Sequence, residues 1–205
     1  MNSLQKPAIT SLELHPLIKN RWSPRSFNER AVEPEKLQRV FEAARWSPSA
    51  FNEQPWRFIV GLKPDNTWNK LLESLVEWNR NWAFNAPVLI SVLGKKTLSK
   101  NGNPNTTYQY DTGQAAAWLT VQAAHEGLIA HQMGGFDPAI VCKSFSVPED
   151  YEPITVIAIG YQGKPENLQE EYRKAEIAQR NRKESSELVF SDKFGAPSMV
   201  LRNNA

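Results

Sequence analysis

The chain has 205 residues, 40% of them hydrophobic and 22% charged, with 24 Lys and Arg against 22 Asp and Glu for a formal net charge of +2. That length and apolar content suit one domain with a buried core, and the even charge excludes a protein that works by neutralising many nucleic-acid phosphates. The single cysteine, Cys142, excludes an intrachain disulfide, and His15, His125 and His131 have no metal-ligand spacing.

In chain order, a helical pattern runs from about Ser11 to Asn20, and NRWSPRSFNERAVEP is irregular, punctuated by Pro24 and Pro34. Pro34 opens a helix to about Trp46, with Leu37, Val40, Phe41 and Ala44 at helical spacing. SPSAFNEQP is a loop and RFIVGL a short strand. A helix is expected from Asn66 to about Phe84, then a buried strand at VLISVLG and a polar loop at KKTLSKNGNPNTTY. Asp111 to about Gly127 is a long helix rich in small residues, and LIAHQMGG is a strand ending in paired glycines. Asp137 followed by Pro138 marks a helix start, on which Cys142 is expected as a buried, inert thiol; ITVIAIGY is the last strand. From Gly163 the chain is charged and is expected to bury little by itself, as a mobile tail or as an arm on a partner. The alternation of elements indicates a mixed α+β layer fold.

No basic start followed by an apolar stretch is visible at the N-terminus, and the longest apolar run, around APVLISVLG, is far short of a bilayer span. The expectation is a cytoplasmic protein that engages neither membrane nor nucleic acid. Most of the seven Trp are expected in core and interface packing.

Four segments carry chemistry. Arg21-Trp22-Ser23-Pro24-Arg25 sets two guanidinium groups and a hydroxyl around a proline, and Arg forks match phosphate oxygens. Trp46 to Arg57 brackets Ser49, Asn52 and Gln54 between Pro48 and Pro55, a rigid loop that offers polar groups without ordering cost. Gly134 and Gly135 close a strand where backbone can approach a flat or charged ligand. Arg180-Asn181-Arg182-Lys183 is a basic cluster in the arm. Read singly, these are a solvated turn, an ordinary loop, a glycine turn and a charge run.

Their order and spacing, as NRWSPRSF, SPSAFNEQPWRF, YDTGQAAAWLTVQAAHEGL, HQMGGFD, VIAIGY and RNRKESSELVF, resemble the nitroreductase family over roughly Leu17 to Phe194. The resemblance implies one domain over 1–205, an α+β sandwich with a central, mostly antiparallel sheet flanked by helices. The C-terminal arm, about 163–205, would pack on the partner in a homodimer. It implies an FMN-dependent oxidoreductase that passes hydride from NADH or NADPH through flavin N5 to a small nitroaromatic, quinone or enone acceptor by a ping-pong cycle. Carried over by position, Arg21 and Ser23 hold the FMN phosphate and ribityl chain, and Arg182 with Arg180 completes the phosphate site. Arg25 lies at the pyrimidine edge, where a fixed cation favours hydride uptake. Pro48, Ser49, Ala50 and Asn52 come from the partner, Asn79 reaches the polar edge of the ring, and Gly134 and Gly135 offer N–H groups to N5 and O4. Trp22 and Met133 complete the cofactor-binding set. No side chain is expected to be catalytic and no metal to be bound. Trp82, Phe84 and Tyr108 are candidates for the substrate side or for the core. The same motifs would serve a flavin-binding storage or regulatory protein without turnover. A Ser hydrolase is disfavoured because no Gly-x-Ser-x-Gly elbow is present.

Overall fold

The two long apolar runs become the two central strands of one sheet. In the computed structural model, which describes residues 4–201, strands β1 (Trp56–Leu62), β2 (Val88–Lys95), β3 (Ile129–Met133) and β4 (Tyr151–Gly160) lie in the order β1-β2-β4-β3. Every pair is antiparallel, with Val60 opposite Ile90, Ile90 opposite Ile157 and Ala130 opposite Ile159. The helices among the described residues are α1 (Pro16–Asn20), α2 (Pro34–Arg45), α3 (Asn66–Ser74), α4 (Glu77–Ala83), α5 (Tyr108–His125), α6 (Pro138–Phe145) and α7 (Glu170–Ile177).

Alternation along the central strands builds two cores. Val88, Ile90 and Val92 of β2 and Ile157 and Ile159 of β4 meet Leu37, Val40 and Ala44 of α2 and Ala115, Ala116, Leu119 and Ala123 of α5. Leu89, Val156 and Ala158 point the other way, onto Trp68 and Leu71 of α3, Trp82 and Ala83 of α4 and Tyr172 of α7. A period of two splits a continuous apolar run between both faces, so such a run belongs at the centre of a sheet covered on both sides. The α+β sandwich with an antiparallel sheet is therefore the fold.

Helix starts follow their capping residues. The Asp137 carboxylate accepts the N–H of Ala139 at 2.8 Å, with Pro138 in the first turn. Asp65 accepts the Trp68 N–H at 2.6 Å to begin α3. Cys142 is half-buried on α6.

Two helices depart from the sequence reading. The expected helix from Ser11 shortens to Pro16–Asn20, because the residue before a proline is pushed out of the helical region and His15 becomes the cap, accepting the Leu17 N–H at Nδ1. The expected helix from Asn66 to Phe84 breaks at Leu75 and Val76, both extended. Leu75 pairs with Phe136 as an isolated β-bridge, the Val76 N–H donates to the Gly135 carbonyl at 3.1 Å, and the Arg80 guanidinium caps the Leu75 carbonyl at 2.9 Å. Tertiary pairing with the 134–137 turn outweighs the helical periodicity there.

The segment from Gly163 is not uniform. Leu168 and Tyr172 enter the second core and Glu176 is fully buried, so residues 163–177 close on their own chain. Beyond Ala178, Leu188, Val189, Phe194, Met199 and Val200 are exposed. No described helix is long and apolar enough to cross a membrane.

Candidate functional site

The site is organised by the segment that leaves α1. Arg21 ends the helix in an extended conformation, and residues 26–28 are tied to the end of β4: Asn28 N–H donates to Tyr161 at 2.8 Å, and Gly163 N–H donates to Ser26 at 2.8 Å. Ser26 Oγ donates to the Lys164 carbonyl at 2.6 Å. The Glu176 carboxylate accepts the N–H of Arg25 at 2.9 Å and of Ser26 at 3.2 Å. Burial raises the Glu176 pKa, while the two backbone donors and the Arg25 and Lys6 charges lower it. From the other side, the His131 Nδ1–H donates to the Pro24 carbonyl at 2.9 Å and its ring packs 4.6 Å from Trp82. Burial brings the His131 pKa down to about 4, with the Arg25 and Arg21 charges adding to the effect, so the imidazole is neutral at pH 7.

So held, the segment lines a cavity of about 200 Å³ with Lys6, Arg21, Ser23, Arg25, Arg180 and Arg182. Arg21 and Ser23 also border an adjoining hollow of about 380 Å³ walled by Ala117, Val121, Ala130 and Gln132. Burial lowers the Arg21 pKa, and the Arg180 and Arg182 charges lower it further. Arg180 is lowered by burial and by Arg182. None of the ion pairs among the described residues uses any of these cations. Arg25 also carries a buried Nε with no hydrogen-bond partner. Five crowded cations with one carboxylate, Glu176, against them, and an orphaned buried donor, make an anion-binding concavity. The residues present therefore fit a ligand with a phosphate at one end and a larger body reaching into the adjoining hollow.

The glycine pair lies just beyond β3. A Cβ on Gly134 would meet nothing within 4 Å, so the backbone there is open to a ligand. On Gly135 a Cβ would come within 2.7 Å of Asn79 Nδ2 and 2.9 Å of Val76 Cγ2. Asn79 Nδ2 donates to the Gly135 carbonyl at 3.0 Å, which the helix break at Leu75–Val76 makes possible. Met133 is buried in the second core, and Thr155 Oγ1 donates to its carbonyl at 3.0 Å.

The loop with Pro48, Ser49, Ala50 and Asn52 lies elsewhere. None of the four lines the cavities around Arg21. The loop is anchored at the start of α5, where Asp111 accepts the Ala50 N–H at 3.1 Å, and it is pinned internally by the Gln54 N–H on Ser49 Oγ at 3.0 Å. Phe51, Asn52 and Gln54 all have positive φ, and Phe51 is 91% exposed. A side-chain residue in the left-handed region costs about 1–2 kcal/mol. Three within four positions mark a loop whose shape is imposed by its anchors.

Sequence reasoning missed Lys6, Glu176 and Gln132. Lys6 and Glu176 meet only in three dimensions, and neither lies in a patterned motif. Gln132 sits in the quoted strand-end segment, and strand alternation puts it with Ala130 on the hollow side. Trp82 is fully buried, which settles it as core rather than substrate wall. Tyr108 is engaged with Glu152, which pushes its pKa up to about 12. Phe84 is 45% exposed.

Comparison with known proteins matches residues 18–81 and 66–161 to the description "Nitroreductase family". A Methanothermobacter thermautotrophicus protein with the provisional name NADH dehydrogenase/NAD(P)H nitroreductase is 30% identical over 159 residues, covering 75% of this chain and 79% of its own. A solved oxidoreductase containing FMN superposes with a TM-score of 0.86 at 30% identity, covering 92% of this chain and 96% of its own. A nitroreductase family protein from Clostridium difficile 630 superposes with a TM-score of 0.68 at 31% identity, covering 87% and 97%.

Proposed function

The chain belongs to the nitroreductase family, and from that premise we propose that it is an FMN-dependent oxidoreductase acting as a homodimer. The observation that carries the reading is the cavity where Arg21, Arg180 and Arg182 crowd together without a carboxylate partner, beside a hollow that reaches Gln132 of β3. Similarity to a solved oxidoreductase containing FMN supports the identity of the ligand.

In this reading Arg21, Ser23, Arg180 and Arg182 hold the phosphate, and Thr120, Val121 and Gln132 flank the ribityl chain and ring. Arg25, which lines the same cavity, would supply a fixed cation near the pyrimidine edge, where it would stabilise developing negative charge. Gly134 and Gly135 present backbone to N5 and O4, and Asn79 steadies that backbone through the Gly135 carbonyl. Trp22 closes one wall of the phosphate end. The chemistry that bound FMN supplies is hydride exchange at N5, first with NADH or NADPH and then with a small nitroaromatic, quinone or enone. No protein nucleophile is required. His131, neutral and committed to the Pro24 carbonyl, shapes the site rather than moving protons.

The partner supplies the rest. The Pro48–Asn52 loop is fixed at Asp111, while the hollow borders α5 near Thr120, about 13 Å further along the helix. The outward side of α5 exposes Tyr110, Trp118 and Val121. An isologous contact through that side sets the loop of one protomer beside the hollow of the other. The exposed apolar residues beyond Ala178 are then covered by the partner, which gives the arm its role.

The test is the absorption spectrum of the purified protein with added FMN, followed by NADH and NADPH oxidation with menadione and a nitroaromatic. Saturable flavin binding with acceptor-dependent turnover is expected. Flavin binding without turnover toward any acceptor would make the protein a flavin carrier, and no binding of FMN at all would sink the reading.

A further inference from the structure

The cavity assigned to the phosphate holds one cation that does not belong to the two basic motifs. Lys6 arrives on the N-terminal segment, and three ties fix its place. Gln162 Nε2 donates to the Leu4 carbonyl at 2.9 Å, Ala8 N–H donates to the Lys19 carbonyl at 2.7 Å, and the Arg180 guanidinium donates to the Lys6 carbonyl at 2.6 Å. The segment thus straps α1 to the arm, with Lys6 on the wall of the basic cavity.

The side chain of Lys6 turns inward. Its Nζ donates to the Glu176 main-chain carbonyl at 2.7 Å and sits 4.5 Å from the centroid of the Trp22 ring. An ammonium has three donors, so further donors remain for a ligand in the cavity that Lys6 lines. The nearest carboxylate, on Glu176, is engaged by the Arg25 and Ser26 N–H groups. Burial depresses the Lys6 pKa, Glu176 raises it, and Arg180 and Arg25 depress it again, so Lys6 stands among more positive than negative neighbours. A bound anion would relieve that crowding.

We propose that Lys6 is a phosphate-binding residue of the cofactor site, delivered by an N-terminal strap that the fold positions in advance. The inference rests on the FMN reading above. It gives the strap a role: a flexible cation is held ready, so little conformational freedom is lost when the phosphate arrives. It also predicts that Lys6 distinguishes FMN from riboflavin, which carries the same ring and ribityl chain but no phosphate.

The experiment compares the dissociation constants of FMN and riboflavin, by flavin fluorescence quenching, for the wild-type full chain, Lys6→Met and Lys6→Arg, with thermal unfolding of each apoprotein alongside. Lys6→Met keeps the aliphatic stem over Trp22 and removes the charge. The expected result is about a tenfold loss of FMN affinity, riboflavin affinity unchanged, and substantial recovery in Lys6→Arg. Equal weakening of both flavins would show that the strap only supports the fold and would overturn the proposal. Unchanged FMN affinity in Lys6→Met would overturn it too, leaving the FMN reading intact. A wild-type protein that binds neither flavin overturns both.

Discussion

Glu176 and Arg25, 151 positions apart, are joined by a 2.9 Å hydrogen bond from the Arg25 backbone N–H to the buried Glu176 carboxylate. A second N–H, from Ser26, binds the same carboxylate, so one acid on α7 sets the course of the chain along the basic cavity. Removing it strands one buried and one part-buried donor. Glu176→Ala is expected to cost about 3 kcal/mol in urea unfolding and to weaken FMN more than riboflavin, because the Arg21–Arg25 segment with its proposed phosphate ligands loosens. Glu176→Gln keeps an acceptor oxygen and should cost less than half as much; an Ala variant as stable as wild type contradicts the assigned role.

The paired motifs at the two ends of the chain share one cavity, and the proposed reading has them act on one phosphate. In the Arg21→Ala, Arg182→Ala double variant, FMN affinity should fall by about 100-fold or more while riboflavin affinity stays within a few-fold. Isothermal titration with both flavins checks this, and full FMN affinity in the double variant rules the assignment out.

The two neighbouring glycines should respond differently. Gly134→Ala meets open space and should leave stability within about 0.5 kcal/mol of wild type while weakening flavin binding. Gly135→Ala drives a methyl against Val76 and Asn79 and should cost about 1–3 kcal/mol. Chemical denaturation separates the two, and the reverse order would disprove the local geometry.

His131 makes stability depend on pH in a defined direction. Its folded pKa of about 4 lies below the ordinary histidine value of about 6.5, so the unfolded chain takes up the proton first as pH falls. Its contribution is complete above pH of about 6.5, is lost between about 6.5 and about 4, and changes no further below that, about 3 kcal/mol in all. Glu176, whose folded pKa is raised, acts in the opposite sense, starting from the ordinary carboxylate range. The measurement is therefore the difference between wild type and His131→Gln, in urea unfolding from pH 7.5 to 4.5. That difference should shrink steadily toward the acid end, and a constant difference counts against a buried neutral imidazole.

Trp118 tests the assembly. It is half exposed on the outward side of α5. Trp118→Glu places an unpaired charge in the proposed interface and should yield a monomer by light scattering, with flavin affinity lost because the partner loop is no longer supplied. A dimer of undiminished stability would move the interface elsewhere.

Much of this was legible in the chain itself. Apolar runs placed the central strands, Asp137-Pro138 and Pro34 placed helix starts, and the Arg21–Arg25 and Arg180–Arg182 segments named most of the residues that line the basic cavity. The break at Leu75–Val76 was not legible, since Trp68, Leu71, Leu72, Leu75 and Trp78 keep helical spacing across it. The pairing of Leu75 with Phe136 and of the Val76 N–H with the Gly135 carbonyl ends the helix. Nor could spacing tell that Trp82 is core while Trp118 is exposed.

Local chemistry, then, decided which elements form and which groups are able to bind a phosphate, because periodicity, capping and side-chain type act over a few residues. The tertiary structure alone decided that Lys6 and Glu176 meet 170 positions apart, that Arg21 and Arg182 share one cavity, and that the Pro48–Asn52 loop does not enter it. Those are long-range contacts, chosen by how two cores close around one sheet, and no local pattern encodes them.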